Sequence, residues 1–152
     1  MPQLQQADKH EVTILLAEDD LGHAMLIEKN LRRAKIANRI ITVGDGQAAL
    51  ECLFGEANWA GKKPVGPMLV LLDLNMPVLD GYQVLERMKA DERTRRVPVI
   101  VLTTTDDPRE VDRCYGLGCN VYVTKPVDYE RFCEAVQTLG LFLSIVVIPD
   151  GG

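Results

Sequence analysis

Residues 69–81, LVLLDLNMPVLDG, set four aliphatic side chains directly ahead of Asp73 and then break into proline, aspartate and glycine. An unalternating apolar run of this kind reads as a strand buried on both faces, and the Pro, Asp and Gly that follow read as a loop leading into a helix. A carboxylate at the end of such a strand has an ordinary explanation, the polar residue that opens a loop. It acquires another if the chain sets further reactive groups at equivalent strand ends.

The same grammar recurs along the whole chain. Candidate strands are VTILLA (12–17), NRIITV (38–43), MLVLLD (68–73), PVIVLT (98–103) and NVYVT (120–124), and helical patterns lie between them. In the first of these, Ala24, Ile27, Leu31 and Ala34 share a face while Lys29, Arg32, Arg33 and Lys35 take the other. Leu50, Leu53 and Phe54 anchor a second helix, followed by a Gly/Pro-spaced loop, Gly55 to Pro67, whose Trp59 reads as loop packing. A third helix opens at Asp80 with Gln83, and a fourth at Asp107 with Pro108 and Glu110, both in capping-box spacing. A fifth, opened by Asp128, carries Tyr129, Phe132, Cys133, Val136 and Leu139.

Five alternating βα units are too few for a closed barrel. They predict an α/β fold, an open, doubly wound, five-stranded parallel sheet with helices on both faces. Right-handed crossovers then gather every strand-to-helix loop on one edge, where such sheets bind their ligands.

Composition narrows the function. The 152 residues suit one domain, spanning about 1–150, with a core of about 11–140 and an apolar arm of about 141–149. A formal net charge of −5 does not supply the clustered lysine and arginine that nucleic acid demands. The N-terminus MPQLQQADKHEVT lacks the basic start and apolar core of an export signal, and the longest apolar run, Leu139 to Ile148, is about half of a membrane span. A cytoplasmic protein that touches neither nucleic acid nor membrane is expected. Cys52, Cys114, Cys119 and Cys133 form no C-x-x-C pair and lie far in sequence from His10 and His23, so they read as small buried hydrophobes.

At the carboxyl ends of the strands stand Glu18 and Asp19, Asp73, Thr103 and Lys125. Each has a bland reading of its own: Glu18, Asp19 and Asp20 as an acidic helix start, Thr103 as a cap or turn, Lys125 as a solvated charge. All of them on one edge is harder to explain that way. Three carboxylates brought together repel unless a cation intervenes, and magnesium, which takes oxygen ligands and keeps several waters, suits so few of them. A carboxylate beside magnesium can act as a nucleophile toward phosphorus, with a lysine and a hydroxyl to meet the phosphoryl oxygens.

The segments LLAEDD, LVLLDLNMPVLDG, VPVIVLTTT and YVTKP, in that order, resemble the receiver domain of two-component response regulators. The resemblance implies a flavodoxin-like fold, Asp73 as phosphoacceptor, Asp19 as a direct magnesium ligand, Glu18 as a ligand acting through water, and the Asn75 backbone carbonyl completing the site. It implies that Thr103 and Lys125 bind the phosphoryl group, with Pro126 holding the lysine loop. Tyr122 takes the family's aromatic switch position, moving with Thr103, and Asn75 and Thr105 flank the path of attacking water and tune the phosphoryl lifetime. Glu18 departs from the aspartate that many receivers carry, and its extra methylene alters the metal shell. Within the family, GHAMLIEKNL, the loop through Trp59, and LFLSIVVIP are similar to single-domain regulators paired with bacterial and cyanobacterial phytochrome kinases.

The expected role is a switch that takes its phosphoryl group from a sensor histidine kinase and passes the signal on through a protein contact, to a downstream partner that the residues do not name. Leu141, Phe142, Leu143, Ile145, Val146, Val147 and Ile148 follow a helix already supplied with core residues. A two-fold homodimer through the fourth helix, fifth strand, fifth helix and arm is therefore expected, the alternative being an arm folded back on its own domain. Two other functions stay open. A haloacid dehalogenase-like phosphatase would want an aspartate where Asn75 stands, and a phosphorylation-independent receiver would be marked by loss of Asp73 or Lys125, both of which are present.

Overall fold

The structure, a computed structural model, describes residues 12–33, 36–55, 67–104, 106–125, 130–131 and 134–135. Five parallel strands alternate with helices: β1 (Thr13–Ala17), α1 (Leu21–Arg33), β2 (Ile40–Val43), α2 (Gly46–Phe54), β3 (Met68–Asp73), α3 (Gly81–Ala90), β4 (Val99–Thr103), α4 (Pro108–Gly116) and β5 (Val121–Thr124). The strand order is β2-β1-β3-β4-β5, the flavodoxin-like order, which reverses between β1 and β3. The two strands that carry Glu18 and Asp73 are thus neighbours at the switch point, with Ala17 opposite Leu72.

Alternation along the buried strands supplies two cores. Leu15, Ala17, Val70, Leu72, Val99 and Val101 face α2, α3 and α4, which contribute Leu50, Leu53, Val84, Leu85, Met88 and Cys114. Ile14, Leu16, Leu69, Leu71, Ile100 and Leu102 face the other way, onto Ala24, Ile27 and Leu31 of α1. Both faces being covered explains why these strands read as unbroken apolar runs. Cys52, Cys114 and Cys119 are buried, as small hydrophobes should be, while Cys133 lies outside the described residues.

The strands begin one or two residues later than the sequence suggests at β1, β2, β4 and β5, where asparagine side chains bond to the backbone. Asn38, fully buried, donates its Nδ2 to the Val12 carbonyl at 2.7 Å, and the Asn120 side-chain oxygen accepts from the Val99 amide at 2.9 Å. The capping box expected at α3 is present: Asp80 accepts from the Gln83 amide at 2.9 Å, and Gln83 accepts from the Asp80 amide at 3.0 Å. At α4 the expected box gives way to a simpler cap. Asp107 accepts from the Arg109 amide at 2.9 Å and pairs with its guanidinium at 3.2 Å, leaving the Glu110 amide on the Asp107 carbonyl. Glu110 therefore has no reciprocal part.

The end of the opening motif is fixed by contact. A side chain at Gly81 would put its Cβ 2.6 Å from the Asp73 carbonyl oxygen, so only glycine lets α3 start this close to the end of β3. Residues 130–131 and 134–135 are helical, as expected of the fifth helix, whose remaining residues lie outside the described ones, as do Ala34, Lys35, Trp59 and the arm 141–149. Among the described residues no helix is long and apolar enough to cross a membrane.

Candidate functional site

The loop after β1 divides its three acids. Asp20 does the ordinary thing: its carboxylate accepts from the His23 amide at 3.0 Å, and its carbonyl accepts from the Ala24 amide at 2.9 Å, opening α1. That amide holds the exposed Asp20 carboxyl below its usual range. Glu18 and Asp19 are left for other work. Glu18 is buried, its backbone amide tied to the Val43 carbonyl at 3.0 Å, and Asp19 is exposed.

Glu18, Asp19 and Asp73 each bring a carboxylate oxygen within 4.8 Å of the others. Asp73 is pushed up to about 7, first by burial and then by the hydrogen bond it shares with Glu18. The Lys125 charge and the Asn75 backbone amide pull the other way. Lys125, only 9% exposed, bonds directly to Glu18, and its Nζ lies 3.6 Å from Asp73 Oδ1. Its backbone amide donates to the Thr103 carbonyl at 2.8 Å, so the ends of β4 and β5 deliver hydroxyl and ammonium together.

Thr103 is buried, and Tyr122, half-buried beside the α2–α4 core, shares a hydrogen bond with it. Burial raises the Tyr122 phenol, with Cys114, Glu110 and Asp106 adding to the shift, while the Thr103 bond opposes it. Glu18, Asp19, Asp73, Asn75, Thr103, Lys125 and Tyr122 therefore meet on one edge, whereas Thr105 and Pro126 lie outside the described residues.

His23 was not legible as part of this group. From the first turn of α1 its Nδ1 approaches Lys125 Nζ to 3.3 Å and Glu18 Oε1 to 3.9 Å. The only signal for it was position, a polar ring in the helix turn that follows the acids.

A cluster of oxygen donors with one carboxyl driven toward protonation suits a hard divalent cation, which would relieve the repulsion that burial amplifies. The comparisons agree in kind. The response regulator Rcp1 of Synechocystis sp. is 34% identical over 137 residues, covering 90% of this chain and 92% of that protein. A structure of Rcp1 has been solved in its Mn2+-bound form (31% identity, TM-score 0.68, 91% and 99% covered). The bacteriophytochrome response regulator AtBRR superposes with a TM-score of 0.81 at 33% identity over 92% of this chain and 98% of that one. A response regulator receiver domain from Rhodospirillum rubrum is 53% identical, with a TM-score of 0.68 over 91% and 98%. The family model for the response regulator receiver domain matches residues 14–137, nearly the whole of the sheet and its helices, and the chain belongs to that family.

Proposed function

We propose that Asp73 accepts a phosphoryl group from the phosphohistidine of a sensor kinase, and that Thr103 and Tyr122 convert the event into a change of surface. One observation carries this reading: a buried carboxylate at the switch point of the sheet, with two further carboxylates and a lysine ammonium within reach of it. An Asp73 oxygen attacks phosphorus, a P–O bond forms, and the P–N bond breaks with its electron pair returning to the imidazole. Glu18, Asp19, Asp73 and the Asn75 carbonyl would hold magnesium. When bound, the ion neutralises the acidic cluster and the incoming phosphoryl oxygens.

Lys125 meets one phosphoryl oxygen as a point charge. Thr103, following another, gives up its bond to Tyr122 and so releases the ring. The domain is a switch and not a turnover enzyme, although Asn75 and Thr105 tune how fast water removes the group. The haloacid dehalogenase alternative falls with the family match.

Likeness to the bacteriophytochrome response regulator AtBRR supports a phytochrome kinase as the donor. The formal charge of −5 supports a protein that does not bind nucleic acid, its longest apolar run of about half a span supports one that does not cross a membrane, and cysteines buried as small hydrophobes support a cytoplasmic one. The apolar stretch from Leu141 to Ile148 supports a homodimer through α4, β5 and the residues beyond. Sedimentation of the full chain against one ending at Gly140 tests the dimer, two monomers at micromolar concentration refuting it.

Incubation with magnesium and acetyl phosphate, read as intact mass, tests the central claim. One phosphoryl group is expected on the wild type, and none on Asp73→Asn or after chelation. Undiminished labelling of Asp73→Asn would remove the assignment, and an unlabelled wild type would favour a phosphorylation-independent binding module.

A further inference from the structure

The Lys125 ammonium is nearly buried and carries three N–H donors, so it needs acceptors close by. It bonds to Glu18 and lies 3.6 Å from Asp73 Oδ1, and both are carboxylates that the metal site would claim. Among the described residues the remaining acceptor is His23 Nδ1, at 3.3 Å. An ammonium can only donate, so this contact requires the ring to carry its proton on Nε2 and offer the Nδ1 lone pair. The His23 backbone is anchored by its amide on Asp20 Oδ1 at 3.0 Å, and from there the half-exposed ring reaches Lys125.

We propose that His23 is a positioning residue that retains the Lys125 ammonium when Glu18 turns to a divalent cation, so that metal can enter without stranding a buried positive charge. The inference rests on the metal reading above and adds a residue to it. Without His23, freeing Glu18 leaves Lys125 short of an acceptor beside a dication. Metal binding then has to carry that penalty.

The test is binding of Mn2+ to the unphosphorylated chain, with free ion counted by electron paramagnetic resonance and folding checked by circular dichroism. His23→Ala should weaken affinity about fivefold, the size of one charge-assisted hydrogen bond at a partly open site. His23→Asn, whose side-chain oxygen takes the place of Nδ1, should recover most of it. In a Lys125→Met background the loss on His23→Ala should vanish, because the ammonium it serves is gone. Equal affinity of wild type and His23→Ala overturns the proposal. So does a fivefold loss that persists in Lys125→Met, which would make His23 a ligand of the metal itself. A wild type that binds no Mn2+ at millimolar concentration brings down the metal reading and this inference with it.

Discussion

The sheet buries polar side chains at both of its ends, and it treats them in opposite ways. At the amino end Asn38 bonds to the Val12 carbonyl at 2.7 Å and Thr94 to the Met88 carbonyl at 2.7 Å, neutral groups meeting neutral backbone. At the carboxyl end Glu18, Asp73 and Lys125 meet one another, and Asp73 is driven to about 7 in the process. Asparagine and threonine there could have satisfied the same backbone. Ionisable groups forced together gain little stability and retain the capacity to bind a cation or to react. One end of the sheet is built for holding the fold, the other for chemistry.

If that contrast is right, the largest effect belongs to the amino end. Asn38→Ala leaves a buried carbonyl without its donor and should cost about 2 kcal/mol, measured as a shift in urea unfolding. The loss should be the same at pH 5 and pH 8, because nothing in the contact titrates. A cost below about 0.5 kcal/mol would mean that the asparagine is incidental and would dissolve the comparison.

At the carboxyl end the sign reverses. Folded Asp73 holds its proton up to about 7, against about 4 in an unfolded chain, so its contribution is full below pH 4 and is lost as pH rises through 7. Asp73→Asn cannot ionise yet keeps a donor for Glu18. In metal-free buffer it should leave stability near pH 4 unchanged and raise it at pH 8 by roughly 1–2 kcal/mol, solvent screening having been allowed for. Thermal midpoints across that range would show the gain growing with pH. A flat profile would mean that the carboxylates are relieved in some other way.

These two ends were unequally legible. LVLLD announced β3 because a doubly covered strand reads as an unbroken apolar run, its terminal acid stood out only beside the polar residues at the other strand ends, and the Asp80–Gln83 box is a local pattern that local geometry honoured. The second box failed because Arg109 competed for the Asp107 carboxylate, a contest that spacing does not reveal. His23 and Lys125 stand 102 residues apart and meet only because the Lys125 side chain reaches across the carboxyl edge of the sheet toward Glu18 and the start of α1, so no window of sequence contains that contact. The Thr103–Tyr122 bond, likewise, joins two strands in register, Thr103 opposite Thr124, and needs the sheet to exist first.

The smallest effect concerns the loop between Asp73 and α3. Val78 has φ of 67°, the only non-glycine residue among those described with positive φ, and its side chain is 72% exposed. A β-branched residue in this region crowds its own backbone, at a cost of about 1–2 kcal/mol, and this one recovers little of that through packing. Nothing in the letters MPVLDG announces the strain, because valine is the residue least expected to adopt it. Asparagine enters the left-handed region readily, so Val78→Asn should stabilise the chain by about 1 kcal/mol, two to four degrees in Tm for a protein of this size. The gain should be independent of pH and should add to that of Asp73→Asn, since one acts through backbone geometry and the other through charge. If the two fall well short of additive at pH 8, the loop conformation and the Asp73 carboxyl are coupled, and the strain at Val78 is part of how that carboxyl is held.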